Sequence, residues 1–127
     1  MIRQAFNVDG YWEVMVYWNL DCDFFSDIDF ELRKLGFTSA AIEEVYDTLS
    51  NKKAKAVTCS RVEEHASIVV FNPHSSKADY INSIVHEAEH IKQAMLEAYH
   101  VEDRGEAPAY TIGYLVMKMY DTFRRFI

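Results

Sequence analysis

Two histidines and a glutamate that could bind and use a metal ion lie together in the segment His86-Glu87-Ala88-Glu89-His90. In a helix, residues four apart lie ~40° apart around the axis and one turn apart along it, so both imidazoles can reach one ion. Zn²⁺ accepts neutral imidazole nitrogens, and three protein ligands leave a fourth position for water. The metal lowers the pKa of that water towards ~7, and Glu87 follows the first ligand directly, where it can act as general base.

A helical wheel of this segment separates an apolar face from a polar one. His86 and His90 fall opposite the apolar residues, together with Gln93 and Glu97. This arrangement suits a helix that packs one side into the core and turns the other towards a cleft. It also suits two ordinary solvent-exposed histidines, and the sequence leaves both interpretations open.

A third ligand has to come from farther along the chain. His100 lies ten residues beyond His90, or ~15 Å along a straight helix, and cannot share the ion unless the helix breaks early. Glu106 is the predicted third ligand, because the roughly seven residues before it can bring the start of a last helix back towards the histidines. If the connection is instead a tight hairpin, residues 115–119 face the histidines, and none of them carries a carboxylate. Glu106 can also be a first-turn acid favoured by the helix dipole.

The elements that must position these residues form an α+β pattern with a small antiparallel sheet and about four helices. Period-two alternation and β-branched runs predict strands, and capping residues with longer periodic segments predict helices. The predicted strands cover 11–20, 55–60 and 66–71. The predicted helices cover 26–35 and 39–49, then a long helix that begins after residue 75 or 76 and runs to about 99, and a last helix from about 106 to 126. The first helix should be capped by Ser26 and the long one by Ser75 or Ser76. The histidines then lie on the long metal helix, which the C-terminal helix follows.

Length and composition limit the classes of protein to which the chain can belong. Its 127 residues predict one domain, 1–127, and half of them are hydrophobic, which is enough for a core. A net charge of −7 argues against nucleic acid as a partner. No apolar run reaches the ~18 residues of a membrane span, and the N-terminus has no signal-peptide core. Two distant cysteines favour a reduced, cytoplasmic protein.

The H-E-x-x-H motif at 86–90, followed by Glu106 and Ala109, resembles the gluzincin branch of zinc metallopeptidases over about the last 55 residues. The resemblance implies zinc held by His86, His90 and Glu106, with Glu87 as general base. It also implies an edge strand just before the metal helix that binds an extended peptide, and the strand at 66–71 stands in that place. Tyr110 departs from the family, which often has Asp or Asn after the alanine.

The sequence therefore predicts metal-assisted hydrolysis of peptide bonds in a peptide or protein substrate. One alternative is a zincin-like module, of the kind a phage or mobile element can carry, that binds a partner without turnover. Another is a structural interaction domain with chance histidines. Tyr110, Tyr114 and His100 are candidates for stabilising an oxyanion near the metal, and each can also be a packing or surface residue.

Overall fold

Pairs of strands alternate with pairs of helices along the chain, and the computed structural model describes all residues from 1 to 127. The strands are β1 (Ile2–Val8), β2 (Trp12–Trp18), β3 (Ala56–Arg61) and β4 (Ala66–Phe71). The helices are α1 (Phe25–Lys34), α2 (Ser39–Ser50), α3 (Lys77–Tyr99) and α4 (Glu106–Phe123). The predicted α+β class, with a small sheet and four helices, is confirmed. None of these helices is both long and apolar enough to cross a membrane.

The sheet has the strand order β1-β2-β4-β3, and it is mixed rather than wholly antiparallel. β1 pairs antiparallel with β2, and β3 pairs antiparallel with β4. The central pair, β2 and β4, is parallel. A parallel neighbour needs a long crossover between the two strands, and α1 and α2 lie within that crossover.

Helices cover both faces of the sheet, and each face carries its own hydrophobic core. α3 and α4 pack on the face that carries Val14, Val16 and Trp18, whereas Tyr17 contributes to the core under α1 and α2. All six residues of β4 are buried. A strand covered on both faces is expected to be a continuous apolar run, and the segment Ile68-Val69-Val70-Phe71 has that character.

Strand β1 is the element that the sequence does not predict. Its inward-facing position Gln4 interrupts the apolar alternation, and the amide instead donates to the carbonyl of Lys118 and accepts from Trp18 Nε1. A hairpin signal was nevertheless present, because Asp9-Gly10 joins β1 to β2 with positive φ angles of 53° and 75°. Asp-Gly between two strands is one of the strongest short-range indications of a hairpin.

The ends of the helices agree with the capping pattern in most places. Ser76 caps α3 by accepting from the Asp79 amide at 3.1 Å, and Gly36 follows α1 in the left-handed region with φ 98°. The predicted cap at Ser26 is wrong, because α1 begins one residue earlier and has no side-chain cap. A one-turn 3₁₀ helix leads directly into α1, so the chain is already helical when it reaches Ser26.

The two cysteines are unpaired and differ in their environment. Cys22 is exposed, whereas Cys59 is buried in the core under α1 and α2. Burial, followed by the charge of Glu87, raises the pKa of the Cys59 thiol to about 11. Only the thiolate is reactive, and at pH 8 roughly one Cys59 in a thousand would be ionised.

We therefore expect a chromogenic disulfide reagent at pH 8 to modify Cys22 and leave Cys59 intact in the folded protein. The absorbance should report one reactive thiol per native chain and two after unfolding in guanidinium. Cys22→Ser provides the control and should show no fast phase. Rapid modification of two thiols in the native protein would contradict the burial of Cys59.

Candidate metal site

Helix α3 lies alongside the edge strand β3 and turns its histidines outward. Asp79, in the first turn of α3, pairs with Lys55 just before β3, with Oδ1 and Nζ 2.5 Å apart. Farther along the helix, the core-facing positions include Ile84 and Ala88, which are buried, while His86 is exposed. The separation of α3 into an apolar face and a polar one is confirmed.

The two histidine rings face each other across one helical turn. Their Nε2 atoms are 3.2 Å apart, and the ring planes are inclined by 77°. Two nitrogens that each lie 2.0–2.1 Å from one tetrahedral zinc ion are separated by about 3.3 Å. The observed separation therefore fits a shared ion. It also fits an N–H···N hydrogen bond in which one neutral imidazole donates to the other.

Glu87 lies beside the histidine pair but is buried, with only 4% of its surface exposed. Its Oε1 accepts a hydrogen bond from Thr58 Oγ1 at 2.9 Å, and its Oε2 lies 3.9 Å from His86 Nε2. A buried carboxylate is costly unless it is hydrogen-bonded, so the hydroxyl of Thr58 helps to hold Glu87 in this position. One carboxylate oxygen is thus held by β3, and the other faces the histidines.

Thr58 is the site residue that the sequence analysis missed. It lies on a predicted strand, but 29 residues separate it from Glu87. No local pattern indicates which side of that strand meets the metal helix. The same side of β3 carries Ser60, whose hydroxyl is 2.7 Å from that of Ser67 on β4. The part of the sheet beneath α3 therefore presents a short row of hydroxyl groups.

His74 anchors the connection between β4 and α3 and does not reach the histidine pair. Its Nδ1 is 2.6 Å from the carbonyl oxygen of Asn72, and its Nε2 is 2.7 Å from Ser83 Oγ. The ring also stacks on Tyr80, with centroids 4.4 Å apart. Because both ring nitrogens already have partners, His74 holds the start of α3 against the sheet.

Glu106 is not brought to the histidines. It is exposed at the first position of α4, and no group of three or more His, Cys, Asp or Glu side chains lies in an arrangement that could hold a metal ion. The connection from α3 to α4 is short, and Lys92 fastens it to α3 by pairing with both Glu89 and Asp103 at 2.9 Å. α3 and α4 therefore form the helical hairpin that the sequence offered as the alternative connection. Leu115 of α4 lies in the core that the two helices share.

The strand implied by the gluzincin resemblance as a peptide-binding edge is not an edge. β4 pairs with β2 on one side and with β3 on the other, so it has no free edge. The free edge next to α3 belongs to β3, because β3 is the last strand of the sheet and pairs only with β4. Any peptide added to the sheet beside the histidines would therefore pair with β3.

The other candidates for a role near the metal lie elsewhere. Tyr114 Oη donates to the carbonyl of Asn7 on β1, which is the opposite edge of the sheet from β3. Tyr110 is 60% exposed and stacks on Tyr114. His100 is exposed and ends α3 in the left-handed conformation. These three residues have surface and packing roles in this arrangement.

Comparison of the chain with protein-family models, curated proteins and solved structures found no match. The resemblance to gluzincins therefore rests on the H-E-x-x-H motif and on Glu106 with Ala109. Of these residues, the structure brings together His86, Glu87 and His90 and adds Thr58 to them.

Proposed function

We propose that the protein is a zinc-dependent hydrolase of peptide bonds, with His86 and His90 as metal ligands and Glu87 as general base. The observation that carries the proposal is the 3.2 Å separation of the two Nε2 atoms beside the Glu87 carboxylate. Zinc, when bound, would supply a Lewis acid and activate water at neutral pH. The geometry of the histidine pair fits two ligands of such an ion, and the third ligand is not assembled.

Glu87 would move the proton in this reaction. Thr58 occupies Oε1, which leaves Oε2 as the oxygen that can accept a proton from the attacking water. The same oxygen can then return the proton to the departing amine. Because Thr58 fixes the carboxylate through a hydrogen bond, the base keeps one orientation relative to His86 during both transfers.

The free edge of β3 supports an extended peptide as the substrate. Main-chain hydrogen bonds to an exposed strand edge bind peptides largely independently of their side chains. Thr58 lies on this strand, so a peptide paired with it would pass close to Glu87. The unpaired cysteines favour a reducing compartment, and we propose the cytoplasm as the site of action.

The proposal is tested by cleavage of an unstructured casein-type substrate with tag-free protein reconstituted with zinc. Mass spectrometry should detect new fragments, a chelator should abolish them, and added zinc should restore them. The absence of fragments at any zinc concentration would contradict the assignment as a peptidase. Zinc binding without cleavage would instead support the zincin-like binding module, which the unassembled third ligand favours.

The sequence motif is the reason to propose Glu106 as the third ligand. Its substitution distinguishes a role as metal ligand from a role as a first-turn acid that stabilises α4. If Glu106 binds the ion, Glu106→Gln should weaken zinc binding by about tenfold or more. If the acid only favours the start of α4, zinc affinity should not change, and stability should fall by about 0.3–1 kcal/mol. Competition with a zinc-chelating dye measures the affinity, and Glu102→Gln, in the preceding connection, is the matched control.

A further inference from the structure

A cavity of about 220 Å³ lies on the face of the sheet opposite the histidines. Residues of β2, of β4 and of the end of α1 line it. Its floor is apolar and includes Met15, Leu35 and Ile68. Glu13, Glu31 and Glu64 also line the cavity. The site therefore combines an apolar floor with acidic walls.

Glu31 is the least solvated of these acids. Only 16% of its side chain is exposed, and its one ion-pair partner is Arg3, with Nη2 3.7 Å from Oε1. That separation exceeds hydrogen-bond distance. Carboxylates in such positions ordinarily accept hydrogen bonds from donors within 3 Å or so. Glu31 therefore has no hydrogen-bond donor of the protein close to its carboxylate. The cavity beside it has room for a ligand that supplies one.

The charge around the cavity is predominantly negative. Lys34 is the one basic residue among those that line it, against three glutamates. Residues 21–50, which include α1 and α2, carry eight acidic and two basic side chains, a net charge of −6 out of −7 for the whole chain. The field of this layer attracts cations and repels phosphates, carboxylates and a second copy of the same face.

We propose that this cavity binds an aliphatic cation, with an apolar stem on the Met15–Leu35–Ile68 floor and an ammonium or guanidinium group at Glu31. A cavity of ~150 Å³ holds benzene, so by proportion this one has room for about nine heavy atoms. A lysine or arginine side chain and a small free amine both fit that limit. Long cationic side chains commonly lie with the stem on apolar surface and the charged group among polar ones.

Two probes distinguish the possible sources of the cation. Agmatine represents a free amine, and a blocked Gly-Gly-Arg-Gly-Gly peptide represents an arginine side chain of a protein. The same peptide with norleucine in place of arginine is the uncharged control. Titration of the ¹⁵N-labelled full chain should shift the amides of 13–15, 31–35 and 64–68 in a saturable manner. Tighter binding of agmatine would assign a free amine, and tighter binding of the arginine peptide would assign a protein partner.

Substitution of the lining acids tests the role of charge. Glu31→Gln should weaken binding of the better probe by about tenfold, because a charge-assisted hydrogen bond is lost. Glu64→Gln, on an exposed residue, gives a second test that does not disturb the core. Glu63→Gln is the matched control next to it, because Glu63 does not line the cavity. The inference is overturned if neither probe shifts these amides, if the norleucine peptide binds as well as the arginine peptide, or if Glu31→Gln and Glu64→Gln both bind like the unmodified protein. The measurement uses no zinc and no cleavage, so it is independent of the proposed hydrolase activity.

Discussion

Glu87→Gln is expected to lower the rate of peptide cleavage by about 10²–10⁴-fold while leaving zinc affinity unchanged. The amide cannot accept a proton at neutral pH, and removal of a general base has an effect of roughly this size. Glutamine has nearly the same shape, and its side-chain oxygen can still accept from Thr58 Oγ1. The loss should therefore fall on the chemical step and not on folding or on the histidine pair.

Steady-state cleavage of a fluorogenic peptide, with zinc content measured on the same samples, checks this expectation. Glu89→Gln is the matched control, because it lies between the two histidines in the motif but pairs with Lys92 on α3. It should cleave at close to the original rate. A Glu87→Gln variant as active as the unmodified protein would remove Glu87 from the mechanism.

Trp18→Ala is expected to lower the free energy of unfolding by about 3–5 kcal/mol, as large-to-small substitutions of buried aromatic residues commonly do. Trp18 is completely buried and stacks on Phe71 with centroids 4.4 Å apart. It also contacts Phe123 and Phe126 at the C-terminal end of the chain. The substitution would therefore leave a cavity where the sheet meets α4.

Guanidinium unfolding followed by circular dichroism measures this loss. Trp18→Phe keeps an aromatic ring at the position and should cost less than the alanine variant. Tyr11→Ala, on a side chain that is 71% exposed, should change stability by less than about 0.5 kcal/mol. A Trp18→Ala variant within 1 kcal/mol of the unmodified protein would show that the packing around β2 is not as described.

Local patterns predicted most of the fold because each depends on neighbouring residues. The strand at 66–71 has the observed limits of β4, and Ser76 caps α3 as one of the two predicted caps. The parallel pairing of β2 with β4 has no comparable signal, because it depends on where a crossover of two helices and a strand returns to the sheet. The edge strand that the gluzincin resemblance implies at 66–71 is a central strand in the structure.

The sequence predicted only those residues of the candidate site that lie on a single helix, α3. His86, Glu87 and His90 lie within five consecutive residues, so helical geometry alone brings them together. The contact of Glu87 with Thr58 joins a helix to a strand, and the position of Glu106 depends on the path of the connection between α3 and α4. Such long-range relations require the tertiary structure.

The most direct test of the central claim is a crystal of tag-free protein grown with zinc and measured on both sides of the zinc absorption edge. We expect an anomalous peak between His86 and His90, ~2.0–2.1 Å from each Nε2 atom, and no such peak in crystals of His90→Ala. The same map would identify any third ligand. Histidine rings turned apart, with no anomalous density between them, would contradict the assignment of a metal site.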